Sequence, residues 1–288
     1  MTGRALVLRR VREKYLSGAR SGEMSLSTRI GRSKYSFLIV HLAALGFLVM
    51  GDVDLRGAVL VWFTMQFAIH AGYHRCFAHR SFRTHPGIEL VFACIGSIAG
   101  QNGPLWWAAT HRRHHRFADM EGDYHSPTRG FFYAHMGWLW ETAFEEADLR
   151  RHPDLARPHL IWVENHKLLI GSAYLLLLGV VWGLGGIGSY WVIPVVVCWH
   201  TTAATNSVTH SFGTRPYTCP PPSSCRATNN AIVAWLNLGE GWHNNHHANP
   251  ACCHHGFYKW HQIDITYMII WMLARLGLVW DVRTRMKA

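Results

Sequence analysis

Residues Gly57–Arg80 read "GAVLVWFTMQFAIHAGYHRCFAHR". The first half is a nearly unbroken apolar run, and the second half delivers His74 and His79. Whether that run lies in a protein core or in lipid decides the fold. A bilayer span needs about 20 residues, with a lower limit near 17. Gly57–Gly72 falls just short, and Tyr73 extends it. Three further runs resemble it: Phe37–Met50, Leu168–Leu184 and Tyr190–Val208. The loop joining the first pair, "GDVDLRG", carries two aspartates and one arginine, and the loop joining the second, "GGIGS", carries no charge. Positive charge collects on the other ends. Before the first run stand Arg4, Arg9, Arg10, Arg12, Lys14, Arg20, Arg29, Arg32 and Lys34, and after the second stands "HRCFAHRSFR". Cytoplasmic flanks carry the excess of Lys and Arg. Two hairpins entering from the cytoplasm satisfy that rule, with both termini and the long middle segment on the cytoplasmic side. A soluble bundle burying the same four helices leaves the asymmetry unexplained.

The sequence therefore predicts an all-α integral membrane protein, a single domain over 1–288. Four transmembrane helices are expected near 35–51, 56–73, 167–185 and 189–209. Residues 1–34 form a basic cytosolic arm, and 74–166 with 210–288 form a cytosolic helical cap. With 288 residues, 49% hydrophobic, the chain suffices for such a domain. Its net charge of +11 is explained by the flanks, so nucleic acid is not an expected partner. Arg9 and Arg10 interrupt Ala5–Leu8, so no secretory leader is expected. Seven cysteines form no CxxC pair and no evenly spaced framework, which suggests a reducing compartment or incidental core cysteines. Gly87–Gly100 is apolar but too short to span, and reads as an interfacial or re-entrant helix. Gly213–Cys225, with three consecutive prolines, reads as a loop.

The 21 histidines are not scattered. "HRRHH" supplies His111, His114 and His115, and "HNNHH" supplies His243, His246 and His247. Both have the spacing i, i+3, i+4, which places three imidazoles on one face of a helix. His74 and His79 are five apart, which does not align on a regular α-helix, so a helix end or local distortion is expected there. In "NSVTH", Asn206 and His210 are polar residues at the cytoplasmic end of the fourth span, where polarity is costly unless partnered. Topology puts all of these above one membrane surface. Nine imidazoles exceed the four to six ligands of one ion, so two metals are the natural count, and Asn206 is able to hold a water. Imidazole suits iron, zinc, copper and nickel alike.

With these motifs in hand, the chain resembles the membrane fatty acid desaturases, in particular the acyl-CoA Δ9 (stearoyl-CoA type) branch. The resemblance covers about Phe63–Trp280 and includes "QNGPLWWAATHRRHH", "RGFFYAHMGW", "NSVTHSFGTRPY", "GEGWHNNHH" and "QIDITY". It implies two iron ions on His74, His79, His111, His114, His115, His210, His243, His246 and His247, with a water held by Asn206. It implies O2 as co-substrate and a cis double bond as the outcome, on a long-chain acyl-CoA or an acyl-ACP. Electrons would come from cytochrome b5 or a ferredoxin with its NAD(P)H-dependent reductase. Asn102 and Trp107 match positions lining the acyl chain, and Trp106 adjoins them. Zinc has no redox chemistry and does not fit oxidation of an unactivated chain. Hydroxylases, acetylenases and phospholipid desaturases share these boxes, and a non-catalytic metal carrier remains the alternative of another class.

Lesser features have plainer readings. "HPG" at His85–Gly87 resembles the start of a cytochrome b5 haem site but lacks its second half, and reads as a helix N-terminus. Arg112, Arg113 and Arg116 suit a phosphorylated headgroup, an electron donor or a solvated face. His70 reads as a satisfied helix polar group, and "ACCHHGF" as structural. Asp119, Asp123 and His125 are expected to hydrogen-bond ligating imidazoles. Asn244 and Asn245 are expected either to support the ligands or to be exposed, and Gly239 and Gly241 to permit close approach.

Overall fold

The computed structural model describes residues 34–141, 147–256 and 259–284. The basic arm before Lys34 lies outside them. The described chain is mostly helical, with one two-residue antiparallel pair, β1 (Arg83–Thr84) on β2 (Val279–Trp280). Helix α1 spans Lys34–Met50. Helix α2 spans Leu55–Phe67, capped by Asp54, whose Oδ1 accepts from the amides of Arg56 and Gly57 at 3.1 Å. It continues without a break as a π-helix over Ala68–Ala78. Helix α3, Pro86–Ile98, starts with proline in its first turn, as read from "HPG". One face packs on its neighbours, with Phe92, Ala93, Gly96 and Ser97 buried, while Val91 is exposed.

Helix α4, Pro104–Phe117, carries the second histidine box. A π-helical turn, Tyr133–Gly137, leads into α5, Trp138–Glu141. Helix α6 runs Pro158–Ile187, and a π-helical turn, Gly188–Val192, joins it to α7, Ile193–Ser207. Among the described residues, the run Pro158–Ser207 is the one helical stretch long and apolar enough to cross a membrane. It is not straight. Gly183 has φ +64° and ψ −157°, a conformation open to glycine, and the chain folds back there. Tyr174 Oη donates to the Tyr190 carbonyl at 2.9 Å, across sixteen residues that a straight helix would hold about 24 Å apart. The third and fourth expected spans are thus the two arms of one hairpin. The first arm begins at Pro158, nine residues earlier than the expected 167. Extended Arg157 and the proline in the first turn set that start.

Three shorter helices complete the cap: α8 (Ala231–Leu236), α9 (His243–Ala248) and α10 (Ile265–Arg275). The main core joins the π-helix of α2 to α3, α4 and the start of α6 through Phe77, Phe82, Phe92, Leu105 and Leu160. The outer sides of α1, α2 and α6 expose Leu42, Val49, Leu60, Leu176 and Val180.

One cysteine expectation fails. Cys219 and Cys225 form a disulfide, their Cα atoms 6.0 Å apart. The spacing is not a CxxC, and the proline-rich turn between them brings the two sulfurs together.

Candidate metal centre

The π-helix resolves the five-residue spacing of the first box. The His79 amide donates to the His74 carbonyl at 3.0 Å, an i→i+5 bond. The wider turn brings the two imidazoles to one side, with ring centroids 4.8 Å apart. π-bulges often mark functional sites, and here the distortion aligns a pair of histidines that a regular helix would separate.

All nine expected histidines come together, in two groups. His74, His79, His111, His115 and His246 form one, and His114, His210, His243 and His247 form the other. Their Nε2 atoms point inward. In the group of five the contacts are His74–His246 at 3.0 Å, His79–His111 at 2.8 Å, His111–His115 at 3.0 Å and His115–His246 at 2.9 Å. In the group of four they are His210–His243 and His243–His247 at 3.0 Å and His114–His247 at 3.3 Å. Each HxxHH box is shared between the groups. His111 and His115 serve the five while His114 serves the four, and His243 and His247 serve the four while His246 serves the five. Residues at i and i+4 point to one centre and the residue at i+3 to the other.

The donor set fits metal. His114 Nδ1 pairs with Asp123 Oδ1 at 3.0 Å and His210 Nδ1 with Asp119 Oδ2 at 2.9 Å. A carboxylate only accepts, so those Nδ1 atoms carry hydrogens, which leaves Nε2 as the atom that would offer a lone pair to a metal. Lone pairs converging on one point repel, and a cation satisfies them. Burial, reinforced by neighbouring histidines, holds His79, His111, His115, His243, His246 and His247 well below the ordinary imidazole value of 6.5, in the neutral form that ligates. Burial opposes ionisation of Asp123, but the charge and hydrogen bond of His114 outweigh it and hold the carboxyl below its usual range.

An outer ring supports the group of five. His74 Nδ1 lies 2.9 Å from Glu240 Oε2. Arg75 donates to Glu240 Oε1 at 2.8 Å and to both Asp264 oxygens at 3.0 Å, all three side chains being buried. His255, also buried, stands 3.3 Å from Glu240 Oε2 and lies over the His246 ring at 4.4 Å. Sequence reading does not single out Glu240 or Arg75, and His255 belongs to "ACCHHGF", read as structural. The one available signal was a glutamate three residues before the third box. Asp119 and Asp123 bond ligand-set imidazoles as expected. His125 packs its ring 4.2 Å from His114.

Asn244 and Asn245 are fully buried, which excludes the exposed alternative. Asn244 bonds the Tyr217 amide and carbonyl, both at 2.9 Å, and Asn245 donates to the His255 carbonyl at 2.7 Å and Gln262 at 2.8 Å. They clamp α9 from behind. Gly241 enters α9 so tightly that a Cβ there would lie 2.1 Å from the Ala234 amide. His70 bonds Gln66 at 2.8 Å and stays outside both groups.

A cavity of about 340 Å³ reaches the centre and is lined by Asn102, Trp106, Trp107, His111, His125 and Asn206. Trp107 stacks on His111 at 4.9 Å, and Trp106 on Trp138 at 6.5 Å. Asn102 has φ +67° and caps the Gly103 amide at 3.0 Å. Arg112 does not face the cavity: it clamps Asp154 and the carbonyls of Phe77 and Ala78 at 2.6–2.9 Å. Arg113 bonds the Gly122 carbonyl at 2.9 Å and lies over Tyr124.

Known proteins were compared with the chain. Its sequence is 35% identical over 260 residues to an sn-1 stearoyl-lipid 9-desaturase of Anabaena variabilis, covering 86% of this chain and 91% of that protein. It is 32% identical over 269 residues to a hex-5-enoyl-[acyl-carrier protein] acetylenase of Moorena producens, covering 85% and 81%. It is 36% identical over 223 residues to an icosanoyl-CoA 5-desaturase of Limnanthes douglasii, covering 73% of this chain and 59% of that protein. Residues 55–269 match the fatty acid desaturase family, which takes in the π-helix and all three histidine boxes, and the chain belongs to that family.

Proposed function

We propose that the protein is a membrane di-iron desaturase that places a cis double bond, at Δ9, in a long saturated acyl chain. The convergence of nine Nε2 atoms in two groups carries this reading. His74, His79, His111, His115 and His246 hold one iron. His114, His210, His243 and His247 hold the other, with a water on Asn206. Bound iron supplies the redox chemistry that activates O2. The balance is one saturated –CH2–CH2– unit, O2, two electrons and two protons, giving –CH=CH– and two waters. The chain's own residues dry and shape the site. Trp106, Trp107 and Trp138 wall the cavity beside the histidines, so the acyl chain is held in register with the metals and water is kept out.

Four spans in two hairpins, α1 with α2 and α6 with α7, fit the hydropathy and the charged flanks. Both termini and the metal centre are then cytoplasmic, within reach of a soluble or membrane-bound donor such as cytochrome b5 or a ferredoxin with its reductase. The acyl carrier is CoA, acyl carrier protein or a glycerolipid, and each occurs among the relatives' substrates.

The test is lipid analysis of a host lacking its own desaturase. A new Δ9 monoene, formed only with O2, is expected. A hydroxy or alkynyl acid would overturn the desaturase reading. Two bound irons with no product from a reduced donor, O2 and acyl substrate would favour a non-catalytic metal protein.

A further inference from the structure

The cavity's walls raise a question that the histidines do not: from which side does the acyl chain arrive? Along α6, Lys167, Leu168, Gly171, Ser172 and Leu175 line it, a stripe about 12 Å long at the helical rise. Across from them stand Ser36, Phe37 and Val40 of α1. The two helices meet the π-helical turn Gly188–Val192 near Phe47, and α1 otherwise packs on α7 rather than on α6. On the α7 side the wall is shut. Phe37 stacks on Trp199 at 5.3 Å and meets Trp140 at 5.5 Å. On the α6 side it is open. Leu168 lines the cavity and is 46% exposed, and Ser172 lines it and is exposed too. A Cβ on Gly171 would meet nothing within 4 Å. The outer surface around this gap is greasy, with Leu38, Ile39, Leu169 and Leu176 exposed.

The charges near the cavity point the same way. Lys167 is the one charged side chain in the wall among the described residues. Its Nζ is bound to Glu164 Oε1 at 2.9 Å and to the Glu164 carbonyl at 3.1 Å. The other Glu164 oxygen accepts from the Leu105 and Trp106 amides at 2.8 and 3.1 Å, so the glutamate is anchored and keeps the lysine. Arg112 and Arg113 are engaged inside the cap, and Arg116, exposed on α4, does not line the cavity. A CoA thioester brings several phosphates, which need cations to hold them. The described wall presents no cation that is not already paired.

We infer that the acyl chain enters sideways from the bilayer, between α1 and α6 past Leu168 and Ser172, while still esterified to a membrane glycerolipid. This rests on the desaturase reading and names its substrate class. Entry through an apolar gap requires no phosphate grip within the protein, because the headgroup stays at the membrane surface while one acyl tail slides in.

The test separates binding from turnover. The full-length protein is placed in nanodiscs of phosphatidylcholine carrying a photoreactive diazirine at mid-chain of one stearoyl tail, and labelled peptides are mapped. Labelling is expected on cavity residues of α6 and α4. Ser172→Trp, bulky and compatible with lipid, should cut that labelling at least tenfold at unchanged metal content. Leu168→Phe gives a second, milder block. With a reduced donor and O2, the monoene should appear on the phospholipid itself without added CoA. Cavity labelling by a diazirine acyl-CoA but not by the lipid, or full labelling in Ser172→Trp, overturns the lateral route. Lipid labelling as expected with no desaturation of any substrate leaves the route standing and removes the desaturase reading instead.

Discussion

The two histidine groups are built differently although they share two of the three boxes. The group of five leans on one carboxylate: Glu240 stands against His74 and His255 together, and Arg75 and Asp264 complete a buried ionic cluster behind it. The group of four has a separate carboxylate for each of two imidazoles, Asp123 for His114 and Asp119 for His210. Neither the five nor the four include a carboxylate, so charge compensation comes from this outer ring. The difference teaches where each group is vulnerable. Arg75 offsets part of the negative charge beside the five, whereas the pair of aspartates beside the four has no buried arginine against it among the described contacts. Glu240 is held well below the ordinary carboxyl range, burial being outweighed by Arg75 and then His74.

The comparison breaks most severely if one ligand is removed. His246 sits in the five, in contact with His74 and His115. His246→Ala should abolish product formation, by at least a thousandfold, while the protein still inserts in the membrane. Product above a few per cent of wild type in a whole-cell lipid assay would show that the five are not a metal shell.

The next effects lie in the outer ring. Glu240→Gln should lower iron affinity or activity about 10–100-fold, the usual cost of losing a carboxylate behind a ligating imidazole. It also takes from the buried Arg75 one of its two carboxylate partners, leaving Asp264, so it should lower the unfolding temperature. Asp123→Asn should give a comparable loss of metal affinity with a smaller loss of stability, since no buried arginine loses a partner there. Iron titration alongside thermal unfolding separates the two. Equal destabilisation by both variants would erase the contrast between the groups.

A packing change tests the platform that both groups share. Gly241→Ala drives a methyl into the Ala234 and Asn230 backbone and should cost about 1–3 kcal/mol, the range for overpacking. Denaturation should show it, with metal loss from the five and the four together.

The smallest effect is on pH dependence. In the metal-free protein, six of the nine imidazoles have depressed pKa values, while His114, despite burial, is raised by Asp123. The unfolded chain then binds more protons than the folded one below about 6.5, so stability falls as pH drops through that value. His114 opposes this, since its contribution is present below 6.5 and fades above. Thermal unfolding of metal-free protein should weaken from pH 7.5 to 5.5, and a rise would mean that the His114 type of coupling dominates.

What could be read in the sequence was local. HxxHH is a helical spacing, so the second and third boxes declared themselves, and the apolar runs mark where α1, α2, α6 and α7 lie, with α6 beginning nine residues before its expected start. The first box needed the π-helix, which no spacing rule gives, and only a distortion could be expected there. The outer ring was half legible. Asp123 lies nine residues from His114, so that pairing is local, whereas Asp119 meets His210 across 91 residues. Arg75 meets Glu240 and Asp264 across 165 and 189 residues, contacts that leave no periodic trace. The Cys219–Cys225 pair carries no cysteine-motif signature, because its loop is set by prolines. Helix α9 shows the same limit from the other side. Its three histidines share a face, yet that face divides between two centres, which only the positions of α4, α7 and the π-helix decide.

On the proposed reading, these nine histidines hold two metals in separate groups. Iron content per chain, measured on purified protein and on His246→Ala and His210→Ala, tests it most directly. The expected values are about two for the wild type and about one for each variant, with the loss falling on a different group in each. One iron in the wild type, or two retained in both variants, would contradict the account.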